Sequence, residues 1–181
     1  DQFNSIQERL CETFATFHVP GIMHFASMKD TEEDRATVEY VMDCAAQAGI
    51  RGKQIFMEDI GVDAQGLFVD LENAPIHWLF KLYPWEFIWR DDFADNVQRS
   101  DTTFVEPAWK MVLSNKGMLP LLWERHTGHP NLLRAWFHGA GKAAPVNDYV
   151  LKPLLSREGA NVHIFRNRKA VFSTGGEYGE E

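Results

Sequence analysis

Apolar residues recur every three to four positions at Phe3, Ile6, Leu10, Phe14 and Phe17, the period of an amphipathic helix over residues 3–17. Ile22–Ala26 is a short apolar run of strand length. Asp30 stands three residues before Glu33 in a capping-box-like arrangement. Val38, Val41, Met42 and Ala45 then give a helix its apolar face, and Gly49 is placed to end it. Gln54–Met57 reads as the next strand. Strand, helix and strand in that order predict a right-handed βαβ unit, and so a small α/β lobe.

Beyond it, Gly61–Asn73 alternates polar and apolar residues around Gly66, as a pair of short strands or a loop, and Ile76–Lys81 is a strand candidate. Pro84 suits the first turn of a helix holding Trp85, Phe87, Ile88 and Phe93. Thr102–Val105 is extended and stopped by Pro107. Asn115 can cap a helix from Lys116 to Arg125, which Pro120 would shorten or kink. Gly128-His129-Pro130 is a turn, Leu132–Phe137 fits either period, and Gly139–Pro145 is a small-residue linker. Tyr149–Leu151 then forms a strand ended by Pro153, Ser156–Asn161 a polar loop, Val162–Phe165 a second strand, and Asn167-Arg168 the turn into a third, Lys169–Ser173. A lobe boundary is expected near residue 100.

Composition narrows the class. Of 181 residues, 45% are hydrophobic and 24% charged, a globular balance for one domain or two small lobes. A net charge of −8 argues against a nucleic-acid or anionic-membrane surface, because both select basic patches. Cys11 and Cys44 make no disulfide framework, and no apolar run approaches the roughly 20 residues of a membrane helix. A reducing cytoplasm is the default expectation. With no initiator Met and a Gly-rich, acidic end, the chain reads as an internal piece of a longer protein.

Several side chains invite a chemical role. Lys152 ends a strand and faces a loop rich in amides and hydroxyls, a setting that can grip phosphate oxygens. The loop lacks the Gly-rich phosphate signatures, so on pattern alone an ordinary hairpin competes with a phosphate grip. Glu32 and Glu33 suit a cationic substrate, although their place at the positive end of a helix is enough to explain them. His126 and His129 have no Cys or carboxylate pattern to complete a metal site, and no nucleophile elbow points to a hydrolase.

Three separated stretches carry a resemblance. They are Lys152-Pro153-Leu154-x-Ser156-Arg157-Glu158-Gly159-Ala160-Asn161, Phe80-Lys81-Leu82-Tyr83-Pro84-Trp85-Glu86, and Glu106-Pro107-Ala108-Trp109 with Ser114-Asn115-Lys116 and Leu119–Trp123. Together they resemble the glutathionylspermidine synthase family, and look closest to its stand-alone acid–amine ligases. The resemblance implies an ATP-grasp-type α/β (mixed α+β) ligase. Residues 1–100 would form a Rossmann-like, substrate-side pre-ATP-grasp lobe, and 101–181 the truncated first part of the nucleotide-binding region.

By the same resemblance, Lys116 and Lys152 hold ATP phosphates, and Ser156, Glu158, Gly159, Ala160 and Asn161 belong to the loop closing over them. Arg157 steadies the transferring phosphoryl group as the catalytic residue. Glu32, Glu33 and Phe87 contact substrate, a small carboxylic acid and an amine of peptide or polyamine type. Phe87 stands where the glutathionylspermidine enzymes carry a small hydroxyl residue, which tells against glutathione itself. Magnesium ligands are expected outside residues 1–181, so the isolated chain is expected to be inactive. The alternative is a non-catalytic nucleotide- or metabolite-sensing module that retains the fold.

Overall fold

The computed structural model describes residues 4–139, 144–176 and 178. Phe3, most of the 139–145 linker and the last residues of the acidic end lie outside them. The chain divides into two units, Asp1–Ala108 and Trp109–Glu181.

The first unit runs α1 (Ile6–Phe14), β1 (Ile22–Ser27), α2 (Glu32–Gln47), β2 (Arg51–Phe56), β3 (Gly61–Val62), β4 (Phe68–Val69), β5 (Trp78–Lys81), α3 (Trp85–Ile88), α4 (Ala94–Arg99) and β6 (Thr103–Val105). The expected βαβ unit is present: β1 and β2 pair in parallel through α2, with Ile22 opposite Arg51 and His24 opposite Lys53. The four-stranded sheet has the order β2-β1-β5-β6, and every neighbouring pair is parallel. Because β6 belongs to this sheet, the division between units falls beyond the boundary expected near residue 100.

β1 is the central strand, and all its residues after Ile22 are buried, as a strand covered on both faces must be. Met23 and Phe25 join Phe14, Val38, Val41, Cys44 and Ala45 in the core under α1 and α2. Ala26 joins Ile55, Phe68, Ile76 and Leu79 in a second core on the other face. Burial of Phe25, fully enclosed, contributes about 2–3 kcal/mol.

Helix ends depart from expectation more than helix bodies do. Thr31, not Asp30, occupies the N-cap of α2 and makes no side-chain cap bond, so the capping box does not form. The far end is as expected. Gly49, at φ +87°, lets the Ile50 amide donate to Ala45 O and the Gly49 amide to Ala46 O, closing the helix. The helix expected from Pro84 through Phe93 is two pieces. Pro84 is the extended N-cap of α3, and Phe93 is the N-cap of α4.

The second unit contains α5 (Met111–Ser114), α6 (Met118–Arg125) and a three-stranded antiparallel sheet, β7 (Tyr149–Leu151), β8 (His163–Arg166) and β9 (Lys169–Ser173). Tyr149 lies opposite Phe165 in the register, and their rings stack with centroids 4.5 Å apart. Asn167 and Arg168 both take positive φ, the backbone a tight hairpin turn requires. α6 begins at Met118, later than expected. Asn115 instead accepts the Gly117 amide through its side chain at 2.7 Å. Pro120 sits in the first turn, where a missing amide hydrogen leaves no helical bond unmade. Leu132–Phe137 adopts neither helix nor strand.

Candidate functional site

In the first unit, chain direction creates a crevice. From β1 the connection leads to β2 on one side of the sheet, and β5 and β6 then extend it on the other, so strand order reverses between β1 and β5. Ligands of open parallel sheets bind beyond the carboxyl ends of the strands at such a reversal. The Leu82 amide donates to Ala26 O at 2.9 Å and holds the two strand ends together.

Polar side chains gather there although the strands leading to them are apolar. Ser27, completely buried at the end of β1, has no hydrogen-bond partner for its hydroxyl among the described residues. Lys29 follows, its amide donating to Glu58 Oε1 at 3.0 Å and its ammonium paired with Asp59. At the end of β5, buried Lys81 donates to Tyr83 O at 2.8 Å and lies 4.3 Å from the Trp85 ring centre. Glu86 is buried one residue further. Burial pushes the Tyr83 hydroxyl pKa up, and the negative charges of Asp91 and Glu58 add to the rise.

Of the expected substrate residues, Glu32 and Glu33 open α2 beyond β1, both exposed, with Glu32 3.8 Å from Arg35. Phe87 lies in α3 beyond β5, half-buried, its ring 5.6 Å from Tyr83. Topology therefore brings all three to the same end of the sheet. Glu58 and Asp59 were not singled out from sequence. Their signal was position alone, charged residues immediately after an apolar run.

In the second unit, Lys116 and the 156–161 loop meet. Lys116 Nζ bonds the Ser156 carbonyl and lies 2.9 Å from Ser156 Oγ, while its amide donates to Leu154 O at 2.8 Å. Lys116 is thus a half-buried residue ahead of α6. Lys152, expected to face the loop, is exposed just past β7 and makes no hydrogen bond or ion pair among the described residues.

The loop is a built turn. Glu158, Gly159 and Asn161 take positive φ, and the Ala160 amide donates to Arg157 O at 2.9 Å. Thr174 ties it down, its hydroxyl donating to Gly159 O at 2.6 Å and accepting the Val162 amide at 2.9 Å. Gly176 packs so closely that a Cβ there would lie 2.4 Å from Asn161 Oδ1 and 2.6 Å from Ala160 Cβ. Arg157 is exposed. Among the described residues no three His, Cys, Asp or Glu side chains converge to hold a metal ion.

Known proteins resemble the chain in sequence. The profile of the family described as "Glutathionylspermidine synthase preATP-grasp" matches residues 1–181. A Haemophilus influenzae protein named "Putative acid–amine ligase" is 42% identical over 94% of this chain and 45% of its own length. The trypanothione synthetase of Crithidia fasciculata is 28% identical over 97% of this chain and 30% of its own length. The bifunctional glutathionylspermidine synthetase/amidase of Escherichia coli is 25% identical over 88% and 29% respectively. The chain thus spans less than half the length of these relatives.

Proposed function

Since the chain belongs to the glutathionylspermidine synthase preATP-grasp family, we propose that it is part of an ATP-dependent carboxylate–amine ligase. The observation that carries the nucleotide role is the contact between Lys116 and Ser156. Two segments 40 residues apart, each implied by the family resemblance to hold nucleotide, meet through an ammonium group and a hydroxyl. An ammonium and a hydroxyl at a tight turn complement phosphate oxygens.

In the proposed reaction the substrate carboxylate oxygen attacks the γ-phosphorus of ATP, giving an acyl-phosphate and ADP. The amine nitrogen then attacks the acyl carbon, loses a proton, and expels phosphate as the amide forms. Lys116 holds phosphate oxygens. Residues 156–161 cover the acyl-phosphate against water, and Arg157 steadies the transferring group. At the crevice of the first unit, Glu32, Glu33, Glu58 and Asp59 give a mainly acidic edge. That charge favours a cationic amine of polyamine type. Magnesium is assigned no step, since no three metal-ligating side chains converge among the described residues.

Lys116→Met in the full-length ligase keeps the stem and removes the charge. The expected result is an ATP KM raised about tenfold or more, with the secondary structure unchanged. An unchanged ATP KM and rate of ADP release would refute the nucleotide role. A non-catalytic nucleotide- or metabolite-sensing module is the second reading, which loss of the magnesium ligands from the full-length protein would favour. ATP binding by the full-length protein without ADP release in the presence of carboxylate and amine would select it.

A further inference from the structure

The turn at residues 157–161 is bonded to the residues that follow β9. We infer that Thr174, the first of them, is a positioning residue for ATP: it fixes the backbone of the turn that covers the phosphates and does not touch them itself. The inference rests on the nucleotide reading of Lys116 and the 156–161 loop.

The turn cannot set its own shape. Glu158, Gly159 and Asn161 take φ of +50°, +77° and +53°, a left-handed conformation that costs a residue with a Cβ. Such backbone persists where its surroundings hold it. Inside the turn the Ala160 amide donates to Arg157 O at 2.9 Å. Further bonds come from the chain after β9. The Thr174 amide donates to Val162 O at 3.0 Å, the Asn161 amide to Gly175 O at 3.4 Å, and the Tyr178 amide to Asn161 Oδ1 at 3.3 Å. Gly176 lies so close that a Cβ on it would meet Ala160 Cβ at 2.6 Å.

The Thr174 side chain is the centre of this anchor. A hydroxyl has one proton to give. Thr174 Oγ1 directs it to Gly159 O at 2.6 Å, nearer than Val162 O at 3.3 Å, and accepts the Val162 amide at 2.9 Å. No proton is left for a phosphate oxygen, so any effect of Thr174 on ATP runs through Gly159 and Val162. At the loop's first residue, Lys116 Nζ lies 2.9 Å from Ser156 Oγ. The loop is thus held at both ends, by the lysine proposed to grip phosphate and by Thr174.

The test is calorimetric titration of the full-length protein with ATP and magnesium, beside AMP, which lacks the γ-phosphate that becomes the acyl-phosphate. Thr174→Val keeps the side-chain shape and removes the hydroxyl bonds. The expected result is ATP binding weakened about fivefold, AMP binding unchanged, and ATP affinity restored by Thr174→Ser. Gly176→Ala displaces Ala160 and Asn161 without altering Thr174, and is expected to show the same split between ATP and AMP. ATP affinity kept in Thr174→Val but lost in Lys116→Met would overturn the inference and leave the nucleotide reading standing. Equal weakening of ATP and AMP would overturn it by reducing Thr174 to a structural role. ATP affinity unchanged in both Thr174→Val and Lys116→Met would overturn the inference together with the reading it rests on.

Discussion

Asp70 shows how one side chain can hold together three parts of a fold. Burial alone would raise its pKa. Hydrogen bonds from Lys53, from the Ala74 and Glu72 amides and from His24 outweigh that effect and lower it from 3.8 to about 2. Its stabilising contribution is therefore complete above about pH 4 and is lost as pH falls toward 2. His24 acts in a higher window. Burial pushes its pKa below 6.5 despite the neighbouring carboxylate, so protonation of the unfolded chain drains stability as pH falls below that value. Melting temperature plotted against pH should fall in two limbs. His24→Gln should flatten the upper limb while the lower one persists, and Asp70→Asn should remove the lower limb. A single limb in the unaltered protein would contradict this account. None of it was legible in the sequence, where His24 is one polar letter in an apolar run and Asp70 lies 46 residues away.

At the scale of elements, two glycines flank the α2–β2 connection for different reasons. Gly49 has open space around its missing Cβ but a φ of +87°, so Gly49→Ala costs about 1 kcal/mol through backbone strain alone. Gly52 has ordinary backbone, but a Cβ there would lie 2.6 Å from Met42 Cγ and 3.2 Å from Phe25 Cε2. Gly52→Ala therefore costs about 1–3 kcal/mol through overpacking. Denaturant unfolding should show Met42→Ala offsetting the cost at Gly52 and having no effect on the cost at Gly49. Sequence periodicity located the helix and its Gly stop because both are local properties. It missed the split between α3 and α4, where Trp85 and Trp89 stack 5.7 Å apart and tertiary packing sets the helix length.

At the scale of the whole molecule, the two units carry different proposed tasks on different scaffolds. The first supplies a parallel sheet with an acidic crevice at one end, and the second a tied-down turn beside Lys116. The chain covers 45% of the Haemophilus relative, and no metal ligand set occurs among its described residues. Incubated with ATP, magnesium, a carboxylic acid and a polyamine, this 181-residue chain is expected to release no ADP, while the full-length protein does. Turnover by the isolated chain would place all the required groups within it. No helix among the described residues is long and apolar enough to cross a membrane.

The sequence by itself determined the βαβ order, the strands around Asn167-Arg168, the stop at Gly49 and the family, because each depends on local period, local backbone preference or an ordered set of motifs. Tertiary structure alone decided that β5 lies beside β1, which creates the crevice, and that Lys116 rather than Lys152 reaches the 156–161 loop. It also decided that His24 and Asp70 meet in the interior. These are pairings between distant segments, and burial and strand register select them where no local pattern does.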